Sequence, residues 1–143
     1  MRKLALVLVA LTLIAAVAVE NTRTTESGLT IVQLEPGAKL VSQPGDYVYV
    51  SYTGKLDDGT VFDSSASRPD GNGAPSLLPF KLGAGVVIKG FDEGMLGMSV
   101  GDRRKLIIPS KLGYGDQRVG SIPPSSRLTF EVELVRLIRP AAK

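Results

Sequence analysis

The sequence predicts a single helix, over Val86-Val-Ile-Lys-Gly-Phe-Asp-Glu-Gly-Met-Leu-Gly97. Val87, Phe91 and Met95 recur at four-residue steps and form one apolar stripe along it. Three glycines within the stretch weaken the helix, each by about 1 kcal/mol relative to Ala. Because a helix this short does not stand alone in water, another part of the fold must cover its apolar stripe.

Most of the remaining chain alternates apolar and polar residues, which is typical of strands with one buried face. The alternation is clearest towards the C-terminus and slips after Leu134, which indicates a bulge or an edge there. No βαβ periodicity occurs, so the sequence predicts an α+β fold, a twisted antiparallel sheet of five to six strands wrapped on one short α-helix. The predicted strands are 29–34, 47–56, 61–63, 77–82, 103–109 and 127–137.

The first residues have the pattern of a secretory signal peptide. Arg2 and Lys3 precede an apolar run, and Ala16-Val17-Ala18 forms a cleavage motif before Val19. We therefore expect a signal peptide at 1–18, a polar linker at 19–27, one folded domain at 28–139 and a tail at 140–143. The expected location is a secretory lumen, the periplasm or the exterior. An uncleaved leader, acting as a membrane anchor, is the minority alternative.

Composition excludes several classes of function. The 143 residues include 17 basic and 14 acidic side chains, and loss of Arg2 and Lys3 with the leader leaves 15 and 14. So small a surplus argues against a nucleic-acid partner, and the run Arg103-Arg104-Lys105 is interpreted as a solvated strand segment. The chain has neither Cys nor His. It therefore has no disulfide, no thiolate nucleophile, no Ser-His-Asp triad and no metal site built on these residues.

Aromatic and branched aliphatic residues recur near the strand ends and the helix start, and Asp63 directly follows one of them. If they converge, they form an apolar pocket with a few polar groups, as small-ligand sites do. The alternative, more common for an arbitrary protein, is that most of them are ordinary core. The residues are Tyr52, Phe62, Val87, Ile88, Phe91, Tyr114, Ile122 and Phe130.

Six short strings bear on this choice. They are Tyr52-Thr-Gly54, Gly59-Thr-Val-Phe-Asp-Ser-Ser65, Leu82-Gly-Ala-Gly-Val-Val-Ile-Lys-Gly-Phe91, Met98-Ser-Val-Gly-Asp102, Tyr114-Gly115 and Ile122-Pro-Pro124. In this order and at these spacings they resemble the FKBP-type peptidyl-prolyl cis-trans isomerases, over about residues 28–138. The resemblance implies a sheet half-wrapped around the helix, and a proline-binding pocket between the two.

The resemblance also implies roles for the site residues. Tyr52, Asp63 and Tyr114 are the expected catalytic residues, with Asp63 either polarising the site or holding Tyr52. A purely structural role for Asp63, as a loop anchor, is the alternative. The Ile88 N–H and the Tyr114 hydroxyl are the expected hydrogen-bond donors. The expected substrate-binding residues are Phe62, Val87, Ile88, Phe91, Ile122 and Phe130, of which Phe91 stands where the family often has Trp.

The implied activity is isomerisation of Xaa-Pro bonds, which accelerates the folding of exported proteins. Rotation about an amide breaks no covalent bond, so no cofactor and no metal are expected. The expected partners are proline-containing polypeptides, with rapamycin and tacrolimus as candidate inhibitors and no nucleic acid. Membrane contact is expected only if the leader stays attached, and a monomer is the default. The alternative function is a binding module or chaperone of the same fold with little or no catalysis.

Overall fold

The computed structural model describes residues 21–35 and 40–142, which form seven strands and one short helix. The predicted α+β class is confirmed. Two 3-10 turns lie at Ser65–Ser67 and Ser110–Leu112. The elements are β1 (Thr22–Thr24), β2 (Thr30–Glu35), β3 (Tyr47–Lys55), β4 (Val61–Ser64), β5 (Leu78–Lys81), α1 (Lys89–Gly94), β6 (Arg103–Ile108) and β7 (Leu128–Ile138).

The predicted signal peptide, residues 1–18, lies outside the described residues. Within the described part of the chain, no helix is long and apolar enough to cross a membrane.

All seven strands join one antiparallel sheet, in the order β1-β2-β6-β7-β3-β4. Strand β5 pairs with the first half of β3, and β4 pairs with its last residues. Strand β7 lies between β6 and β3 and pairs with both along most of its length. Helix α1 packs on one face of this sheet, mainly against β6. The core lies between the helix and that face.

The strand count is one higher than the predicted maximum of six because of β1, which lies within the segment expected to be a linker. Thr22, Arg23 and Thr24 pair with the start of β2, and all three are exposed. A short edge strand without a buried face carries no apolar alternation, so the sequence pattern could not reveal it.

The bulge predicted after Leu134 is confirmed. Tyr49 of β3 lies opposite Arg136, whereas the next residue, Val50, lies opposite Leu134. Val135 is therefore the extra residue on β7, and inward and outward positions exchange there, as happens at a bulge.

The helix is shorter than predicted, since it covers Lys89–Gly94 rather than all of Val86–Gly97. Ile88 precedes it with extended backbone angles, φ −58° and ψ 149°. The predicted stripe is buried at Phe91 and Met95, which are 3% and 0% exposed.

Two of the glycines that weaken the helix let it lie close against β6. A Cβ atom on Gly90 would lie 2.6 Å from Ile108 Cγ2, and one on Gly94 would lie 2.6 Å from Leu106 Cδ1. Since real Cβ atoms do not approach carbon atoms so closely, any larger residue would push the helix off the sheet. The low helix propensity of this segment is therefore a consequence of its packing.

Arg104 corrects the interpretation of the basic run as a solvated segment. Its side chain is 6% exposed and points under the end of α1. The guanidinium donates to the carbonyls of Gly94 (2.9 Å), Leu96 (2.7 Å) and Gly97 (3.0 Å). These carbonyls lack partners within the helix, so Arg104 completes the helix end. Arg103, which faces the opposite side of β6, pairs with Glu35 at the surface.

Replacing Gly90 with Ala should destabilise the domain, although helix propensity alone predicts a gain of about 1 kcal/mol. The added methyl group meets Ile108, and overpacking of this kind costs about 1–3 kcal/mol. Urea unfolding measures the difference. Lys89→Ala, at an exposed position of the same helix, is the control and should change stability by less than about 0.5 kcal/mol. A Gly90→Ala variant more stable than the parent would contradict this packing account.

An ion pair with a buried carboxylate joins the turn before β3 to the residue that follows β7. Asp46 is 1% exposed, and Arg139 donates to both of its carboxylate oxygens, at 2.9 and 2.8 Å. The backbone N–H of Gln43 donates to the same carboxylate at 3.0 Å. Arg139, through its hydrogen bond, and Gln43 lower the pKa of Asp46 below its usual value, despite the opposing effect of burial.

Stability should therefore depend on pH through this pair. Because the pKa of Asp46 is lower in the folded state, its contribution is complete above the unfolded pKa of about 3.9. That contribution is lost as the pH falls through the folded pKa. In Arg139→Met, the loss of melting temperature relative to the parent should be larger at pH 6 than at pH 3.

Thermal unfolding at both pH values tests this. Arg127→Met removes an exposed ion pair, with Asp57, and is the control, since such pairs contribute little. If Arg139→Met loses the same melting temperature at pH 3 and at pH 6, the ion pair does not make stability depend on pH.

Candidate functional site

A cavity of about 520 Å³ opens between the start of helix α1 and the curved end of the sheet. Strands β3, β4, β5 and β7, the start of α1 and the loop before it all contribute lining residues. Of the nine predicted site residues, eight line the cavity. These eight are Tyr52, Phe62, Asp63, Val87, Ile88, Phe91, Tyr114 and Phe130.

The ninth, Ile122, does not line the cavity. It is 5% exposed and belongs to the hydrophobic core. Reciprocal backbone hydrogen bonds with Val119, at 3.1 and 2.9 Å, hold it in the loop between the 3-10 turn at 110–112 and β7.

The floor of the cavity is a cluster of aromatic rings in edge-to-face contact. The Phe91 ring lies 4.9 Å from that of Phe130 at an interplanar angle of 84°, and 6.0 Å from that of Tyr52 at 89°. Phe62 contacts the other side of Phe130, at 5.4 Å. Such contacts stabilise ring pairs beyond the burial of their area, so this floor is rigid and apolar.

One edge of the cavity is polar. The Tyr52 hydroxyl donates to Asp63 Oδ2 at 2.7 Å, and the backbone N–H of Ser64 donates to Asp63 Oδ1 at 2.9 Å. Burial, followed by the hydrogen bond to Asp63, raises the pKa of Tyr52 to about 12. The phenol therefore stays protonated at neutral pH, and the arrangement keeps a fixed hydroxyl beside the aromatic floor.

Arg68 completes this polar edge and was absent from the residues predicted for the site. Its guanidinium donates to the Tyr52 hydroxyl and, at 3.2 Å, to Asp63 Oδ1. The 3-10 turn at 65–67 folds the chain back and brings Arg68 to the cavity, with the Ser64 side chain capping the turn. The only signal in the sequence was the pair Ser64-Ser65, since serine favours such caps. The ion pair itself is largely exposed and contributes little to stability.

The loop that precedes α1 forms one wall of the cavity and is fixed by a side chain of the helix. Asp92 accepts hydrogen bonds from the N–H groups of Gly83 (2.9 Å) and Gly85 (3.0 Å). Those bonds fix the loop that presents Val86, Val87 and Ile88 to the cavity.

Two hydrogen-bond donors at the cavity are unused by the described part of the chain. Neither the backbone N–H of Ile88 nor the hydroxyl of Tyr114 has a partner among residues 21–35 and 40–142. Tyr114 is 38% exposed and stands at the mouth. A bound molecule could therefore accept hydrogen bonds from both donors while an apolar ring occupies the floor.

Within the described segments, no group of three or more acidic, His or Cys side chains is placed to hold a metal ion. The residues that meet at the cavity are suited instead to binding a compact apolar ring with carbonyl groups on either side.

Comparison with known proteins agrees with this geometry. The profile of the FKBP-type peptidyl-prolyl cis-trans isomerase family matches residues 39–135. Those residues include every side chain that lines the cavity.

Two fungal relatives are more than half identical to the chain. Over 97 residues it is 54% identical to FK506-binding protein 2 of Debaryomyces hansenii, a match that covers 68% of this chain and 67% of that protein. Over 96 residues it is 57% identical to peptidyl-prolyl cis-trans isomerase FPR2 of Saccharomyces cerevisiae, covering 66% and 67%. The chain thus spans about two thirds of the length of these relatives.

A solved structure shares the fold. FkpA from Escherichia coli superposes with a TM-score of 0.73 at 37% identity, over 85% of this chain and 53% of that one. Fold, cavity and sequence agree, and the chain belongs to the family of FKBP-type peptidyl-prolyl cis-trans isomerases.

Proposed function

We propose that this isomerase binds proline-containing segments of exported polypeptides and catalyses rotation of their Xaa-Pro bonds in the cavity at the start of α1. The observation that carries the proposal is the buried aromatic floor of Phe91, Phe130 and Tyr52, beside two donors that have no partner in the described chain. A proline ring is compact and apolar, and its neighbouring carbonyls are acceptors, so ligand and cavity match in shape and chemistry.

The reaction needs selective binding rather than bond-making chemistry. Amide resonance opposes rotation with a barrier of about 18–20 kcal/mol. In the twisted transition state the amide has lost that resonance, and its dipole is smaller than in either planar form. Water stabilises the planar, more polar amide more than the twisted form, and an apolar site removes this advantage. Donors fixed for the twisted form bind that form more tightly. Preferential binding of the transition state lowers the barrier.

Each group in the cavity has a proposed part in this binding. Phe91, Val87, Ile88, Tyr52 and Phe130 surround the proline ring, and Phe62 supports Phe130. The Ile88 N–H and the Tyr114 hydroxyl donate to substrate carbonyls. Asp63 holds the Tyr52 hydroxyl and places a negative charge at the edge of the cavity. Its contact with the backbone of Ser64 fits a loop-anchoring role as well, and the variants described below separate these roles.

Two finer features of the proposed function are export and the binding of macrolides. The leader motif at residues 1–18 supports export, with cleavage before Val19. The relative from Debaryomyces hansenii, about two thirds of which the match covers, is named for binding FK506. This name supports macrolide binding by this chain. Phe91 gives the macrolide ring an aromatic floor smaller than Trp.

The full chain, produced in a host that secretes it, tests the proposal. We expect the purified protein to begin at Val19 and to accelerate cis-to-trans isomerisation of an Xaa-Pro peptide, with inhibition by rapamycin. Catalysis without inhibition would support the proposed isomerase activity and contradict the proposed binding of macrolides. A folded protein without catalysis would favour the binding-module alternative.

Asp63→Val should lower kcat/KM by at least about tenfold, because Tyr52 loses its acceptor and the site loses a preorganised charge. Asp63→Asn keeps an acceptor for the Tyr52 hydroxyl but removes the charge. If holding Tyr52 is the role of Asp63, the Asn variant should retain most activity, and if polarisation is the role, it should be as slow as the Val variant. Circular dichroism checks that both variants are folded.

Full activity in both folded variants would leave Asp63 with only its loop-anchoring contact and would remove it from the site.

Phe91 calls for a milder substitution than Ala, because it is 3% exposed and part of the core. Large-to-small changes at such positions cost about 3–5 kcal/mol, so Phe91→Leu is the matched variant for the floor.

A further inference from the structure

Strand β3 has a gap along one side at Tyr52. On that side, β5 pairs with β3 as far as Val50, and β4 pairs with it from Thr53 onwards. Ser51 and Tyr52 lie between the two, where no strand is their neighbour. The N–H and C=O of Tyr52 point into this gap. Both groups are buried with their residue, which is 7% exposed, and buried backbone groups need partners.

The Ser65 hydroxyl fills the gap. The Tyr52 N–H donates to Ser65 Oγ at 3.0 Å, and Ser65 Oγ donates to the Tyr52 carbonyl at 3.2 Å. A single side chain thus makes both hydrogen bonds that a neighbouring strand would have made. Ser65 is itself 4% exposed. Ser64 Oγ also reaches the Tyr52 carbonyl, at 3.3 Å, but within the described chain only Ser65 accepts from the Tyr52 N–H.

Ser65 is also two residues from Asp63 along the chain. Its hydroxyl therefore ties the backbone of Tyr52 to the segment that carries Asp63. The contact between the Tyr52 hydroxyl and Asp63 Oδ2, at 2.7 Å, depends on both backbones. If the segment after Asp63 moves away from β3, this contact lengthens, and Arg68, three residues beyond Ser65, moves with it.

We propose that Ser65 is a positioning residue for the Tyr52–Asp63 pair and acts on catalysis from its place beside β3, outside the cavity. Ser65 does not line the cavity; it lines a groove on the outer face of the sheet. The inference rests on the proposed function of the pair. It adds that the geometry of the pair is set by a hydroxyl that never touches the substrate.

A neighbouring hydroxyl pair supplies a matched control. Thr53 Oγ1 and Ser64 Oγ lie 3.1 Å apart in the same cluster. In the described chain, the Thr53 side chain makes no hydrogen bond to the backbone of Tyr52. Thr53→Val removes this hydrogen bond with almost no change of shape, so it tests the effect of losing any hydroxyl from the cluster.

The experiment compares Ser65→Ala, Ser65→Thr and Thr53→Val in the full chain. In Ser65→Ala we expect kcat to fall by about tenfold, because small displacements of catalytic groups slow the reaction. KM should change little, because the aromatic floor that binds proline is untouched. Ser65→Thr restores a hydroxyl and should recover most of kcat, and Thr53→Val should match the parent.

Nuclear magnetic resonance supplies a readout independent of turnover. In Ser65→Ala, the Tyr52 amide should exchange with solvent faster while the Val50 amide does not, and the Tyr52 Cζ shift should change as its bond to Asp63 lengthens. If the parent proves inactive, the proposed function fails, and these two signals still decide whether Ser65 holds the pair.

An unchanged kcat in folded Ser65→Ala would overturn the proposal, as would an equal loss in Thr53→Val. Ser65→Ala removes the partners of buried backbone groups, and this loss can prevent folding. In that case Ser65→Thr and Ser65→Cys decide: the inference requires kcat and the Tyr52 Cζ shift to change together across these folded variants, and it is overturned if kcat and the shift vary independently.

Discussion

A helix of six residues with two glycines cannot hold its shape alone, so the fold depends on contacts that hold α1 from outside. At its end, Arg104 donates to three carbonyls. On its exposed side, Glu93 accepts from Ser27 at 2.8 and 2.7 Å, which anchors the segment between β1 and β2. Beside it, Ser42 donates to the Met95 carbonyl at 2.5 Å. Tertiary contacts thus replace the propensity that the helix lacks.

The same contacts build the cavity. Since α1 lies close on β6, Phe91 reaches Phe130 of β7, and these rings form the floor. Asp92 of the helix holds the loop that forms the wall. On the other side, the Ser65 hydroxyl joins β3 to the chain after β4. The buried floor and the hydrogen-bonded wall are therefore in place before a ligand arrives, which reduces the entropy lost on binding.

The sequence predicted the features that repeat locally or match a known pattern. Alternation located six strands, and eight of the nine residues predicted from the motif order line the cavity. Features that depend on distant partners were missed. Arg104 was expected in solvent because nothing in its neighbourhood shows the helix end above it. Arg68 was missed because a 3-10 turn returns it to Asp63. The exposed strand β1 has no apolar face, and Ile122 carries the motif yet packs in the core.

The position of β7 has a consequence for the order of folding. This strand lies at the centre of the sheet, between β6 and β3, yet it is the last of the described strands in sequence. During synthesis, β3 has no partner along one side until residues near 138 have left the ribosome. Pairing across so long a stretch is slow. The central pairings of the sheet therefore form only after every other described strand has been synthesised.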